Sequence, residues 1–342
     1  MDNVFQSIEE CIGSTPVIEL KTSFLPNHKK LFLKLEFFNP TFSIKDRTAL
    51  GLIKDAFVRG QLKLGGTVIE STSGNLGKSL AMLGASMGFN VILVIDPKAP
   101  QTMINWCQAY GATVVLVDTP DQFGGYQSAR INKVRELLQQ HPNAYWPNQY
   151  DNAANPNFHY HQTATEILNL DIDAVCGAVS TGGHLSGIAR NLRTYRDDIS
   201  ILGCDVKGSA IFGDKFKPYL LNGVGLAWQS ANTNLSVLDH YTHIDDNDAI
   251  AMCHLIAREN GILLGGSGGL TVFAALGYLL QNHANNALAI IADSGINYLH
   301  QIYDKNWLEE HQIALDSASK LQQKLAELDF TSLVSERADV PA

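Results

Sequence analysis

Lys45 is the residue best suited to nucleophilic chemistry in this chain of 342 residues. The segment KLEFFNPTFSIKDR (34 to 47) ends a predicted strand, passes a proline and presents Lys45 at the start of a predicted helix. In a partly desolvated site the ammonium form loses favour, and the neutral amine can form a Schiff base with an aldehyde. Since a lysine before a helix is most often a solvated charge, the other motifs must decide its role.

Two loops rich in glycine and serine are candidates for binding anions. STSGNLG (71 to 77) follows the predicted strand TVIE, and STGGHLSG (180 to 187) follows AVCGAV. Each would place backbone N–H groups at the start of a helix, where they can face a carboxylate or a phosphate. Such loops also serve as tight turns that let helices pack closely, so each is weak evidence by itself. No G-x-G-x-x-G opens the first strand–helix unit, which disfavours a dinucleotide site.

Strands and helices alternate along the chain, which predicts an α/β fold with mainly parallel sheets covered by helices. The predicted strands are 67 to 70, 91 to 96, 113 to 118, 174 to 180, 199 to 206 and 288 to 293. The predicted helices include 46 to 60, 78 to 88, 126 to 140 and 249 to 260. This order places the polar loops at the carboxyl ends of strands, where open α/β sheets bind their ligands.

The composition is that of an ordinary globular protein with small ligands. The chain is 45% hydrophobic and 17% charged, with a formal net charge of −9, and it has no clustered basic face of the kind that binds nucleic acid. The first residues do not resemble a signal peptide and no apolar run approaches the roughly 18 residues that span a bilayer, so we expect a cytoplasmic protein. The five cysteines are scattered without a Cys-x-x-Cys pair, which favours reduced, buried thiols over disulfides or a metal site.

The pattern K-x-E-x-x-N-P-x-F-S-x-K that ends at Lys45 resembles the cofactor-lysine signature of the cysteine synthase and cystathionine β-synthase family, the fold-type II pyridoxal-phosphate enzymes. Family-like blocks follow in the expected order over roughly residues 8 to 305. The resemblance implies two domains with mainly parallel twisted sheets flanked by helices, and pyridoxal 5'-phosphate in the cleft between them. We expect a smaller N-terminal domain with the carboxylate loop at 35–150, a larger cofactor-binding domain at 8–34 and 151–312, and a helical tail with a loose end at 313–342.

The same resemblance assigns roles to individual residues. Lys45 would hold the cofactor as an imine and later move protons at the substrate's α-carbon. Ser267, in GILLGGSGGLTVFAAL (261 to 276), would bond the pyridine nitrogen, and a hydroxyl there gives a moderate electron sink suited to β-elimination and replacement. Asp293 and Ser294 would lie near the same ring edge. The implied cofactor-binding residues are Lys45, Asn75, Ser180, Thr181, Gly182, Gly183, His184 and Ser267. The implied substrate-carboxylate residues are Thr72, Ser73, Gly74 and Gln149.

His184 departs from the family pattern, because threonine is common at this position of the phosphate loop. Its imidazole could add a donor to an anion, or it could cap the helix or fill space beside the glycine turn. Ala164 likewise stands where glycine is common in the family.

Four further segments resemble one branch of the family, which makes N-(2-amino-2-carboxyethyl)-L-glutamate from O-phospho-L-serine and L-glutamate, a step towards 2,3-diaminopropionate. Arg130 and Tyr150 match positions that recognise phosphoserine in that branch, and an Arg fork with a Tyr hydroxyl suits a phosphate. The reaction would pass through a bound aminoacrylate, and the biosynthesis of a siderophore or a peptide antibiotic would use such a product. A serine stands in that branch at the position of His184, which weakens the phosphoserine assignment. The four segments are DPKAPQTM (96 to 103), DQFGGYQSARINKVREL (121 to 137), YWPNQY (145 to 150) and VKGSAIFGDK (206 to 215).

Other interpretations remain open at this point. With sulfide as the nucleophile the chain would be a cysteine synthase, and with homocysteine a cystathionine β-synthase; the leaving group could be phosphate or acetate. A catalytically idle fold member with a binding or regulatory role is a third alternative, which the set of Lys45, Asn75 and Ser267 argues against. Small amino-acid substrates are the expected ligands, and the resemblance implies a homodimer.

Overall fold

The computed structural model describes residues 4–120, 126–196 and 198–334, and two compact units can be distinguished in it. Unit 1 consists of the segment that ends at Gly13 together with Asn39–Phe158, and unit 2 consists of Ser14–Phe38 together with the chain from His159 onwards. Compact packing does not by itself establish which segments fold independently, so the domain division expected from the sequence stays a prediction.

Strands and helices alternate through most of the described chain. The strands are β1 (Val17–Glu19), β2 (Lys30–Leu35), β3 (Thr67–Ser71), β4 (Asn90–Ile95), β5 (Thr113–Leu116), β6 (Ala174–Ala178), β7 (Ser200–Val206), β8 (His240–Ile244), β9 (Asn286–Ile291) and β10 (Thr331–Ser332). The helices are α1 (Lys45–Val58), α2 (Asn75–Met87), α3 (Gln101–Ala109), α4 (Gln127–Gln140), α5 (Ala154–Phe158), α6 (Gly183–Tyr195), α7 (Asp246–Asn260), α8 (Gly266–Gln281), α9 (Lys305–Glu310) and α10 (Ala318–Ala326). A π-helical turn at His159–Thr163 and several short 3₁₀ turns complete the elements.

Unit 2 is built on a seven-stranded sheet in the order β1-β2-β9-β6-β7-β8-β10. The five inner strands pair in parallel, and β1 and β10 add antiparallel edges. Strands β6, β7 and β9 are nearly continuous runs of buried residues, as expected for strands that helices cover on both faces. Helix α8 is buried along almost its whole length and packs on α7 and β9, so it lies in the middle of the core.

Unit 1 contains a smaller, parallel sheet in the order β3-β4-β5. Helices α1 and α2 pack on each other, and α4 covers β3 and β4. The core is formed by apolar side chains from these elements, with Ile53, Leu80 and Leu93 among those fully removed from solvent. Both units therefore have the mainly parallel sheets with covering helices that the alternation predicted.

The tail from residue 313 folds back onto unit 2. Helix α10 buries Leu321 and Leu325 against α8, and Thr331–Ser332 pairs with β8 at the edge of the large sheet. The remainder of the expected loose end, 335 to 342, lies outside the described residues. None of the helices in the described part of the chain combines the length and apolar character that crossing a bilayer requires.

Candidate active site

The loop Thr72–Gly74 in unit 1 joins the end of β3 to the first residue of α2, Asn75. Thr72 donates its backbone N–H to Val94 O at 3.1 Å, which fixes the start of the loop to the neighbouring strand. Gly74 donates its N–H to the Thr72 hydroxyl at 3.2 Å, which closes a tight turn. The predicted carboxylate-binding residues thus stand together at a helix N-terminus, where backbone N–H groups favour an anion.

Arg130 reaches this loop from α4. Its Nη1 donates to the Ser73 hydroxyl at 2.9 Å, and its Nε lies 3.2 Å from Asp96 Oδ2. Ser73 in turn donates to the same Asp96 oxygen at 3.1 Å. The Arg130 side chain is only 11% exposed, so it is not a solvated charge on the surface of α4. Asp96, which sequence reasoning did not single out, lies at the carboxyl end of β4 and holds the guanidinium beside the loop.

The predicted residues Gln149 and Tyr150 lie in the same unit. Gln149 is 5% exposed, and its carbonyl accepts from Asn155 Nδ2 at 2.9 Å. Burial raises the pKa of the Tyr150 phenol, while the positive charge of Arg130 and a hydrogen bond with Gln127 act in the opposite direction. The charge of Arg130 therefore acts on the Tyr150 phenol, and the role of both residues in binding one ligand stays a prediction.

Lys45 is the first residue of α1 and is half-buried. Its backbone N–H donates to the Ser43 hydroxyl at 3.0 Å. Phe42, three residues earlier, has φ 62, a left-handed conformation that is costly for a bulky residue. Such backbone strain is concentrated at functional sites, where the surrounding structure enforces it.

A buried network fixes the helix that carries Lys45 against the helix that carries Asn75. Asp46 accepts from the Thr41 N–H at 2.7 Å, from the Thr41 hydroxyl and from the Ser79 hydroxyl at 2.5 Å. Burial raises the pKa of the Asp46 carboxyl, and these hydrogen bonds oppose the rise. Since Ser79 lies in the second turn of α2, the network sets the position of Lys45 relative to the carboxylate loop.

The loop Ser180–Gly183 in unit 2 joins β6 to α6. Gly182 has φ 75, and a Cβ on it would lie 2.2 Å from Thr233 Oγ1, so only glycine fits. The Ser230 hydroxyl donates to Thr181 O at 2.6 Å and thereby holds the loop from the other side. The result is a closely packed turn whose following N–H groups open the helix α6, as expected for a phosphate loop.

A second pair of glycines links this loop to Ser267. Gly225 donates its N–H to Val179 O at 2.8 Å, and its carbonyl accepts from the Ser180 hydroxyl at 3.4 Å. A Cβ on Gly223 would lie 3.7 Å from Ser267 Oγ and would fill the space beside that hydroxyl. Both glycines have positive φ, 80 and 73. The sequence analysis missed these two glycines, although the pattern N-G-V-G at 222 to 225 could have indicated a turn there.

Ser267 lies in the first turn of α8 and is 1% exposed. The start of the helix is fixed to the chain after β9, because Gly265 donates its N–H to Asp293 O at 3.2 Å. Tyr298 donates its hydroxyl to Asp293 Oδ2 at 2.5 Å. Unit 2 therefore brings the predicted residues Ser180 to Gly183, Ser267, Asp293 and Ser294 to the carboxyl ends of neighbouring strands.

Two described contacts of His184 lie inside unit 2. Its ring packs edge-on against His159 with centroids 6.2 Å apart, and its Nε2 would be 3.1 Å from a Cβ on Gly177 of β6. These contacts support the space-filling alternative for the imidazole. A cofactor-binding role for His184 stays a prediction.

Comparison with known proteins identifies the class. A sequence model of the family described as pyridoxal-phosphate dependent enzyme matches residues 8–293. This range covers most of the chain, and the chain belongs to that family. The predicted cofactor, pyridoxal 5'-phosphate, is therefore confirmed.

Several solved structures are similar to this chain over nearly its whole length. An O-acetylserine sulfhydrylase, isoform 3, from Entamoeba histolytica is 30% identical with a TM-score of 0.85, covering 95% of this chain and 97% of its own. An O-ureido-L-serine synthase is 29% identical with a TM-score of 0.82, covering 93% and 98%. A hydrogen sulfide-producing enzyme from Fusobacterium nucleatum is 31% identical with a TM-score of 0.81, covering 86% and 100%. The chain is thus a fold-type II enzyme of the β-replacement kind, as the sequence predicted.

The residues present fit the cofactor. The space beside Ser267 Oγ, which a Cβ on Gly223 would fill, lies in the same unit as the glycine turn that opens α6. A phosphate suits the N–H groups of that turn and the hydroxyls of Ser180 and Thr181. A pyridine nitrogen suits the Ser267 hydroxyl, which can donate or accept a hydrogen bond.

Proposed function

We propose that this protein makes N-(2-amino-2-carboxyethyl)-L-glutamate and phosphate from O-phospho-L-serine and L-glutamate. The observation that carries the proposal is the position of Arg130, whose guanidinium is bonded to the Ser73 hydroxyl beside the carboxylate loop. A largely buried arginine next to a binding site for an amino acid suits a second anionic group on that amino acid. The phosphate ester of serine provides such a group, whereas the acetate ester does not.

The proposed binding roles follow the chemistry of each group. The N–H groups and hydroxyls of Thr72, Ser73 and Gly74, with Gln149, hold the substrate carboxylate. Arg130 and Tyr150 hold the phosphate of the substrate until it leaves. The cofactor is held at its phosphate by the loop Ser180–Gly183, at its ring nitrogen by Ser267 and at its ring hydroxyl by Asn75.

Lys45 is the proposed catalytic base and acid. When bound, pyridoxal phosphate supplies an electron-withdrawing ring that stabilises negative charge at the substrate's α-carbon. The amine of Lys45 removes the proton from that carbon before phosphate departs, and it returns a proton to the same carbon after glutamate has been added. A mutant of the similar O-ureido-L-serine synthase, in which alanine replaces a lysine, was crystallised with O-ureido-L-serine bound.

Cysteine synthesis is the second candidate function. It is favoured by the similarity to the O-acetylserine sulfhydrylase from Entamoeba histolytica and to the hydrogen sulfide-producing enzyme from Fusobacterium nucleatum. In that case sulfide would replace glutamate as the nucleophile. A third candidate is cystathionine β-synthase activity, in which homocysteine would be the nucleophile.

The proposal extends to the setting of the reaction. We propose a cytoplasmic homodimer whose product feeds the synthesis of 2,3-diaminopropionate for a siderophore. The resemblance of the motifs at 96 to 103 and 145 to 150 supports this setting.

The purified holoenzyme tests the reaction directly. It is mixed with O-phosphoserine or O-acetylserine, release of phosphate or acetate is measured, and glutamate, sulfide or homocysteine is then added and the product is weighed by mass spectrometry. We expect phosphate release and the glutamate adduct. Cysteine as the sole product would favour the second candidate, and absence of phosphate release would contradict the role of Arg130.

Arg130→Lys sharpens this test, because it keeps the charge and removes the planar fork. Loss of charge-assisted bonds in a largely buried site costs about 1.5–3 kcal/mol, which is roughly a 10- to 160-fold loss in kcat/KM. We expect this loss for O-phosphoserine and a much smaller one for O-acetylserine. Arg135→Lys is the matched control, since Arg135 lies on the same helix, is exposed and bonds only a neighbouring side chain among the contacts described, Asn132 at 3.3 Å.

A further inference from the structure

Glu70 is a buried carboxyl group that the proposed reaction does not use. It is the penultimate residue of β3, is 1% exposed, and stands two residues before the carboxylate loop Thr72–Gly74. A buried carboxylate is costly unless hydrogen bonds satisfy its oxygens, so its partners indicate what it holds in place.

The donors to Glu70 come from both parts of the predicted carboxylate site. Ser71, which precedes the loop, donates its backbone N–H to Oε1 at 2.8 Å. Trp146 donates its indole N–H to the same oxygen at 3.1 Å, and Gln149 donates its backbone N–H to Oε2 at 3.4 Å. The backbone N–H of Asn148 is a further donor.

Tyr145, the residue before Trp146, already connects the segment 145 to 149 to β3 through its backbone. Tyr145 donates its N–H to Thr67 O at 2.8 Å and accepts from the Ile69 N–H at 2.9 Å. Beyond Tyr145 this strand-like pairing stops, and Asn148 adopts a left-handed conformation with φ 46. After Tyr145, the hydrogen bonds that connect this segment to β3 are therefore made by the Glu70 side chain and no longer by the backbone of β3.

The surroundings of Glu70 place the pKa of its carboxyl group near neutral pH. Burial raises the pKa of Glu70 to about 7, and the hydrogen bonds from Ser71, Trp146 and Gln149 oppose the rise. Besides burial, the charge of Glu70 contributes to the raised pKa of the Tyr145 and Tyr150 phenols, and Arg130 on α4, paired with Asp96, lowers the pKa of Tyr150.

We propose that Glu70 is a positioning residue for the substrate carboxylate: by accepting from Ser71, Trp146 and Gln149 it holds the segment 146 to 149 against the loop Thr72–Gly74. This inference rests on the proposed role of that loop and of Gln149 in binding the α-carboxylate. It does not depend on the leaving group, because every serine-derived substrate carries the same α-carboxylate.

Glu70→Gln in the holoenzyme tests the role in binding. The amide keeps one acceptor oxygen and turns an NH₂ group towards N–H donors, so the segment loses part of its support. We expect KM for the amino-acid substrate to rise about 10-fold while kcat changes less than about 2-fold and the affinity for pyridoxal phosphate is kept. In the parent enzyme KM should rise as pH falls below about 7, and this dependence should vanish in the variant.

Hydrogen exchange of the cofactor-free protein provides a readout that does not depend on activity. In Glu70→Gln the amides of the peptide 145 to 150 should exchange about 10-fold faster, while those of α6 should be unchanged. Trp146→Phe keeps the ring and removes one donor, and it should give smaller changes of the same kind. Glu136→Gln, on exposed α4 surface beside Lys133, is the matched control and should change neither KM nor exchange.

Unchanged KM and unchanged exchange in both variants would overturn the proposal. Equal losses of substrate and cofactor affinity would also overturn it, since they would indicate a general structural role. If O-phosphoserine is not a substrate, the proposed reaction is wrong, and the role of Glu70 is then tested with whichever β-substituted alanine the enzyme turns over.

Discussion

In unit 1 the loop Thr72–Gly74 is supported by charged side chains, whereas in unit 2 the loop Ser180–Gly183 is supported by hydroxyl groups and a tightly packed glycine. Arg130 and Asp96 meet at Ser73 in the first loop. Ser230 holds Thr181 in the second loop, and Thr233 packs on Gly182. Both loops follow a parallel strand and open a helix, so they share one architecture with different supports.

The difference corresponds to what each loop is proposed to bind. A cofactor that remains bound through many reactions suits a rigid turn whose shape glycine packing determines. A substrate that enters and leaves in every cycle suits side chains that can adjust their ion pairs and hydrogen bonds. We also propose that charge gives selectivity among substrates, because an arginine at the position of Arg130 favours an anionic leaving group over a neutral one.

The largest effect should come from Lys45→Ala, which separates the proposed chemistry of Lys45 from binding of the cofactor by the residues that remain. We expect turnover to fall at least about 1,000-fold, since the group that moves the α-proton is lost. Pyridoxal phosphate should still bind without a covalent link, because Ser180–Gly183 and Ser267 are intact. Borohydride reduction followed by mass spectrometry should label the parent protein and not the variant, and a labelled, fully active variant would contradict the assignment.

Gly182→Ala and Gly74→Ala compare the two loops directly. At Gly182 an alanine would combine φ 75 with a Cβ 2.2 Å from Thr233 Oγ1, which should cost about 2–5 kcal/mol of unfolding free energy. At Gly74 a Cβ would meet nothing within 4 Å, so stability should change by less than about 0.5 kcal/mol. Urea unfolding measures both, and titration with each ligand should show weaker cofactor binding for the first variant and weaker substrate binding for the second.

Gly213→Ala separates the two causes at Gly182. Gly213 also has positive φ, 93, but a Cβ on it would meet nothing within 4 Å. It should lose only the backbone contribution, about 1–2 kcal/mol. Equal losses at Gly182 and Gly213 would show that contact with Thr233 contributes little.

A smaller effect is expected from Asp205, a buried carboxyl of β7 in unit 2. Burial raises its pKa to about 7, against an ordinary value of 3.8. Because the folded pKa is the higher one, Asp205 favours the folded state at low pH and this contribution is lost as pH rises through about 7. Between pH 5 and pH 8 the loss should be about 2–3 kcal/mol, and Asp205→Asn should remove it.

Thermal or urea unfolding across this pH range compares Asp205→Asn with the parent protein. Glu309→Gln is the control, because Glu309 is an exposed carboxylate on α9 that pairs with Lys305 at 3.6 Å, far along the chain from Asp205. It should leave the pH dependence unchanged. An identical pH dependence in the parent and in Asp205→Asn would show that Asp205 titrates near its ordinary value in the folded protein.

Local pattern determined much of the fold. The apolar runs at 67 to 70 and 174 to 180 correspond to β3 and β6, and the helix expected at 249 to 260 corresponds to α7, which begins three residues earlier at Asp246. Strand β8, HYTHI, was missed because its polar residues hide the pattern at a position near the sheet edge. Strands β3 and β6 and helix α7 were predicted correctly because burial in the core gives neighbouring residues a regular apolar pattern that can be recognised in the sequence.

The sequence by itself determined the class of enzyme, the cofactor and the candidates Lys45, Asn75 and Ser267, because these stand in contiguous motifs. Only the tertiary structure decided which distant residues support the motifs, as where Asp96 meets Arg130, Trp146 meets Glu70 and Gly223 approaches Ser267. Such pairs are separated by tens of residues, and no local period links them. Their proximity arises from strand order and helix packing, which the whole chain determines through burial of its core.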